Sequence, residues 1–89
     1  MTEREVEIVN RLGLHARAAA KLVHTAGGFK SRVTVVKDGE EVDAKSILGI
    51  LLLAAAQGST IVVRCEGQDE EDALNAVTGL IAERFGEES

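Results

Sequence analysis

The segment Gly13-Leu14-His15-Ala16-Arg17 puts a histidine where a strand and turn give way to a helix, with an arginine two residues further on. A neutral imidazole is a competent nitrogen nucleophile near pH 7, and at a helix start it lies beside backbone N–H groups that have no partner within the helix. Those N–H groups and the positive end of the helix dipole suit an anion attached to the ring. Arg17 adds a planar guanidinium that matches phosphate oxygens. Nucleophile, dipole and cation together suit a group that takes and gives a phosphoryl unit. His15 alone would serve equally well as a surface or capping residue, and Arg17 as a solvated cation; their closeness is what points to phosphate. No metal-ligand set accompanies them, and His24, on the same side of the helix as Arg17, reads as a partner-surface residue.

The elements that must hold this segment are legible in outline. Glu5-Val6-Glu7-Ile8 alternates as a half-buried strand does, and Asn10-Arg11-Leu12-Gly13 turns the chain. A helix follows over Ala16 to Ala26, with Ala19, Leu22, Val23 and Ala26 on one face, Arg17, Ala20, Lys21 and His24 on the other, and Gly27-Gly28 at its end. Asp38-Gly39 between Ser31–Lys37 and Glu40–Asp43 is a hairpin signal. Ser46 suits the N-cap of a short helix whose Ile50, Leu53 and Ala54 project to one side and Ile47, Leu48, Leu51 and Leu52 to the other. A helix lying on a single layer does not bury both sides, so an exposed apolar patch is expected there. Ala18-Ala19-Ala20 offers close approach to a partner, or simply good helix propensity. Gln57-Gly58-Ser59 is a turn, Thr60 to Cys65 a strand, and Asp69 opens a last helix with Ala73, Leu74, Val77, Leu80, Ile81 and Phe85 at helical spacing. The order is βαββαβα, an α+β arrangement for which one antiparallel sheet with its helices on one face is the economical packing. Element order alone leaves the strand order open and admits a ferredoxin-like variant.

With 89 residues, no proline and no low-complexity tract, the chain reads as one globular domain over residues 1–89. The start Met1 to Glu5 is charged and leads straight into a strand pattern, the run Ile47 to Ala56 is too short to cross a bilayer, and a cytoplasmic location is expected. The lone Cys65 reads as a buried thiol. A net charge of -5 argues against nucleic-acid binding by phosphate neutralisation. The charge is unevenly spread: no carboxylate lies between Glu7 and Asp38, where Arg11, Arg17, Lys21, Lys30, Arg32 and Lys37 fall, whereas Arg84 stands alone among the acids after Cys65. A basic site region on an acidic body fits an acidic protein partner.

Three motifs in register, G-L-H-A-R, Lys45-Ser46-Ile47-Leu48-Gly49-Ile50 and Gly67-Gln68-Asp69-Glu70-Glu71-Asp72-Ala73-Leu74, resemble the HPr family, the histidine-containing phosphocarriers of the bacterial phosphotransferase system, together with its nitrogen-branch NPr relatives. The resemblance spans nearly the whole chain. It implies an HPr-like open-faced β-sandwich, a four-stranded antiparallel sheet with three helices on one face. It also implies that His15 is phosphorylated on Nδ1 by enzyme I at the expense of phosphoenolpyruvate, that Arg17 steadies the phosphate, and that IIA proteins or domains receive it. Such a protein is a carrier rather than an enzyme, needs no cofactor or metal, and is expected to be a monomer. Ser46 corresponds to a serine that an HPr kinase/phosphorylase modifies in part of the family, although an N-cap serine needs no regulatory purpose. Ala20, Lys21, His24, Ile47, Leu48 and Leu51 are the expected partner surface. The family usually has proline where this chain has Ala18; alanine restores an N–H near the phosphate and leaves φ free. The patterns Ala76 to Ile81 and Phe85-Gly86-Glu87-Glu88 look NPr-like, so a regulatory module signalling by its phosphorylation state is the alternative.

Overall fold

Seven elements appear in the expected order in a computed structural model that describes residues 1–88: β1 (Thr2–Glu7), α1 (Ala16–Gly27), β2 (Arg32–Lys37), β3 (Glu40–Asp43), α2 (Ile47–Leu52), β4 (Thr60–Glu66) and α3 (Glu70–Ala82). The strands form one antiparallel sheet in the order β1-β4-β2-β3. The last strand therefore enters between the first two, a placement that no single element encodes. Along β2 and β4 burial alternates, so Val33, Val35, Ile61, Val63 and Cys65 point into the core beneath the helices. The opposite sheet face is open and carries charge. There Arg64 donates from Nε to Glu3 at 3.0 Å and from Nη1 to Glu41 at 3.0 Å, which ties β4 to its neighbour β1 and, across β2, to β3.

The core is aliphatic, with Leu22, Ile50, Val77, Ile81 and Phe85 of the helical layer closing over the sheet. Cys65 is buried and free, and burial pushes its thiol pKa up, which suits an inert packing residue.

The structure departs from the sequence pattern at three places. β1 begins at Thr2 rather than Glu5, because register with β4 carries the pairing through residues that show no apolar alternation. Arg4, on the helix side of β1, reaches across to α3, donating from Nη1 to Thr78 Oγ1 at 2.8 Å and from Nη2 to Asn75 Oδ1 at 3.2 Å. Ala54 does not share the inner side of α2 with Ile50 and Leu53. The helix has already ended, and Ala54 turns outward in a left-handed conformation with φ 50. Phe85 is not on α3 either. That helix stops at Ala82, and Phe85 lies in a following 3-10 turn, Arg84–Gly86, yet is fully buried.

The start of α3 is pinned to the loop before β2 by one carboxylate. Asp69 accepts from the Ser31 hydroxyl, from Ser31 N at 2.9 Å and from Lys30 N at 2.9 Å. These bonds, the Ser31 hydroxyl foremost, hold the Asp69 carboxyl at a pKa of about 2, below its ordinary 3.8. A group whose folded pKa is depressed contributes stability that is fully present above its unfolded pKa and is lost as pH falls through the folded one. The protein is therefore expected to lose stability as pH drops from about 4 towards 2. Asp69→Asn is expected to lower the urea midpoint at neutral pH and to flatten this acid branch. Denaturation midpoints measured across the range for both proteins check it, and parallel curves would remove Asp69 from the account.

Candidate functional site

The turn after β1 delivers His15 to the start of α1. Gly13 makes this possible in two ways: its φ of +65 favours glycine, and a Cβ there would meet the Ala55 carbonyl oxygen at 2.5 Å and Ala56 Cα at 2.9 Å. Leu14 then donates its N–H to Ala55 O at 2.9 Å, so the turn is docked on the chain leaving α2. With Leu14 buried beneath it, His15 emerges as the N-cap of α1 in an extended conformation, with φ -75 and ψ 178.

The imidazole does not cap its own helix. The first N–H bond within α1 runs from Ala19 to His15 O at 2.8 Å, which leaves the N–H groups of Ala16, Arg17 and Ala18 without an intrahelical acceptor. These donors and the positive end of the helix dipole lie at the helix start that His15 caps, a setting that suits an anion. Arg17 is exposed on the first turn and makes no ion pair among the described residues, so its guanidinium is available to phosphate oxygens. Ala18 is fully buried, so packing holds the position that a proline ring would stiffen. Only Ala20 of the three alanines is exposed; Ala18 and Ala19 belong to the core and offer nothing to a partner.

Glu87 completes the site and was not singled out by its sequence position. Its Oε2 faces Nε2 of His15, while its Oε1 accepts from Asn10 Nδ2 at 3.0 Å. Asn10, itself fully buried, also donates to Gly13 O at 2.9 Å. The Asn10 amide, followed by the His15 ring and the Arg17 charge, lowers the Glu87 carboxyl pKa. An acid among other acids after the last helix carries no mark in the sequence. The tail is anchored by the Phe85 ring in the core and by Lys21, whose Nζ donates to Phe85 O at 2.6 Å. Lys21 is thus tied to the fold, in addition to lying on the expected partner side.

α1 and α2 pack together, which brings the two halves of the expected partner surface side by side. On α2, Ile47 is 45% exposed, Leu48 64%, Leu51 37% and Leu52 68%, an apolar face left uncovered as the helical period requires. Leu12, 61% exposed on the turn before His15, is a further apolar residue, one that a turn position with no periodicity conceals. His24 and Ala20 are exposed on α1. Ser46 is the N-cap of α2, its Oγ accepting from Gly49 N at 3.2 Å. Among the described residues no three His, Cys, Asp or Glu side chains come together as a metal site, and no helix is long and apolar enough to cross a membrane.

A histidine at a helix start, two residues from an exposed arginine, on a small α+β sandwich with an uncovered apolar helix face, is an arrangement that suits a phosphoryl carrier. Residues 2–83 match the family described as "PTS HPr component phosphorylation site", and the chain belongs to that family of phosphotransferase-system phosphocarriers. It is 52% identical over 87 residues to the phosphocarrier protein HPr of Cupriavidus necator, covering 98% of each chain. It is also 44% identical to the phosphocarrier protein NPr of Shewanella violacea, over 98% of this chain and 96% of that one. Among solved structures, HPr-C-His from Thermoanaerobacter tengcongensis superposes with a TM-score of 0.97 at 48% identity and covers all of both chains. The sheet with three helices on one face is the fold of that family.

Proposed function

We propose that this protein accepts a phosphoryl group on Nδ1 of His15 from enzyme I, whose own donor is phosphoenolpyruvate, and hands it to IIA proteins or domains. The observation that carries this reading is the set of unpartnered N–H groups of Ala16, Arg17 and Ala18 at the His15 cap, with the Arg17 guanidinium beside them. The partly exposed imidazole acts as nucleophile on the way in and as leaving group on the way out. The charged and apolar halves of the α1–α2 surface hold each partner in turn: Arg17, Ala20, Lys21 and His24 from one helix, Ile47, Leu48 and Leu51 from the other. The test is incubation with enzyme I and phosphoenolpyruvate, followed by addition of each IIA protein. A phosphohistidine that forms and then discharges to a IIA protein supports the reading, and a protein that stays unlabelled rejects it.

The 44% identity to an NPr carries a second role, a regulatory module that signals by its phosphorylation state. Preferred discharge to a nitrogen-type rather than a sugar-type IIA distinguishes the two. Ser46 enters as a second modifiable side chain, through its hydroxyl. A phosphate there would lie at the start of α2 and put negative charge at the rim of the apolar face, weakening an acidic partner's approach.

Leu48→Glu tests the docking surface. Because Leu48 is 64% exposed, the substitution is expected to leave stability within about 0.5 kcal/mol of the wild type. A charge placed in an apolar contact is expected to weaken partner binding roughly tenfold or more, read as a raised KM for transfer. Unchanged KM, or a melted domain, would remove the face from the proposal.

A further inference from the structure

We propose that Glu87 is a positioning residue for phosphoryl transfer: its carboxylate receives the Nε2–H of His15 and thereby leaves the lone pair of the neutral ring on Nδ1. This deepens the phosphocarrier reading and rests on it. A neutral imidazole has one N–H, and an ionised carboxylate only accepts hydrogen bonds. With Oε2 of Glu87 facing Nε2 of His15, the proton belongs on Nε2 and the nucleophilic pair on the other nitrogen.

The carboxylate is built into its place. Arg84, Phe85 and Gly86 have φ of 58, 55 and 78, three successive left-handed residues that reverse the chain after α3. Such a conformation is costly for Arg and Phe, and persists where the surroundings over-determine it. Here the buried Phe85 ring and the Lys21 bond to the Phe85 carbonyl do so. The reversal sets Glu87 against α1, where Asn10, donating to both Gly13 O and Glu87 Oε1, links the carboxylate to the same turn that presents His15. The groups facing Glu87 are thus the Asn10 amide, the His15 ring and the Arg17 charge, all of which favour the ionised form.

The step balances without a proton transfer. The Nδ1 pair forms the N–P bond, the bond from phosphorus to the donor breaks, and its electrons leave with the donor. The ring keeps its Nε2–H and becomes cationic, with the negative Glu87 already opposite the new charge. On discharge the pair returns to Nδ1 and the ring is again neutral and protonated on Nε2. Because the charge appears during transfer, the interaction is stronger in the transition state than in the resting protein, and its loss falls on the rate rather than on partner binding.

Long-range proton–nitrogen correlation spectra of the 15N-labelled, unphosphorylated protein, at a pH where the ring is neutral, read the tautomer directly. Wild type is expected to hold His15 as the Nε2–H form, and Glu87→Ala to gain the Nδ1–H form. Single-turnover transfer from phosphorylated enzyme I is expected to slow roughly tenfold to a hundredfold in Glu87→Ala with little change in KM. In Glu87→Gln a single amide oxygen stands where Asn10 Nδ2 and His15 Nε2–H each had one, so the Nε2–H form is expected to be held less completely than in wild type, and the rate is expected to fall because the charge is gone. This variant also carries the test should Glu87→Ala fail to fold. A tautomer population or a transfer rate that does not change in Glu87→Ala overturns the proposal, as does a Gln variant as fast as wild type. A wild type that enzyme I does not phosphorylate defeats the carrier reading instead, and the tautomer measurement separates the two failures.

Discussion

His15→Ala is expected to abolish phosphorylation by enzyme I and phosphoenolpyruvate while leaving a folded protein. Alanine removes the nucleophile outright, and neither Arg17 nor the helix N–H groups can form a bond to phosphorus. The fold is expected to survive because the His15 side chain is partly exposed, makes no capping bond, and has its backbone held by Leu14 on one side and by the Ala19 N–H on the other. The change in unfolding free energy should stay within about 0.5–1 kcal/mol. The chain has one other imidazole, His24, so His24→Ala is the natural control. It should still be labelled, with the phosphate labile in acid and stable in base, as expected of phosphohistidine. Label persisting in His15→Ala, or vanishing in His24→Ala, would move the acceptor away from the α1 N-terminus.

Phe85→Ala is expected to be the most damaging single substitution to stability. Phe85 is among the largest fully buried side chains, and this chain has only two phenylalanines and neither tryptophan nor tyrosine, so no other aromatic of the core can take its place. Truncating a buried Phe typically costs about 3–5 kcal/mol. A domain of this size has a stability nearer the lower end of about 5–15 kcal/mol, so most of it would be lost. The melting temperature should fall by roughly 15–30 °C, read by circular dichroism. A second consequence separates this residue from other core positions. With the ring gone, the left-handed reversal at Arg84–Gly86 loses what pays for it, and Glu87 should leave Nε2 of His15 even at temperatures where the rest of the fold persists. The His15 ring signals should therefore shift before the global transition. A melting temperature within about 5 °C of the wild type would show that the Phe85 pocket refills.

How much of this was readable without coordinates depends on the range of each interaction. The helices, the Asp38-Gly39 hairpin and the β4 strand are written in local periodicity and turn chemistry, and so appear in the sequence. β1 was legible only from Glu5, because Thr2 to Arg4 owe their strand to partners on β4 and their side-chain contacts to α3. Ala54 and Phe85 depart from the helical pattern of the sequence for a related reason. Both lie just past a helix end, where extending a 3.6-residue period continues a helix that the backbone has already left. The apolar side of α2 was visible as an excess of leucine over what one layer can bury, whereas Leu12, in a turn, was not.

What the sequence determined by itself is the chemistry on offer: an imidazole at a helix start, an arginine two residues on, a capping serine before a two-sided apolar helix, and an acidic opening to the last one. Each is a contact between neighbours along the chain, set by propensity, spacing and the dipole of a single helix. Tertiary structure alone decided that β4 lies between β1 and β2, that Asn10 and Glu87 meet although far apart in sequence, and that a carboxylate from the chain's last turn stands against the ring nitrogen of His15. Those outcomes depend on burying Phe85 and on sheet register, cooperative quantities that belong to the packed molecule and to no short stretch of it.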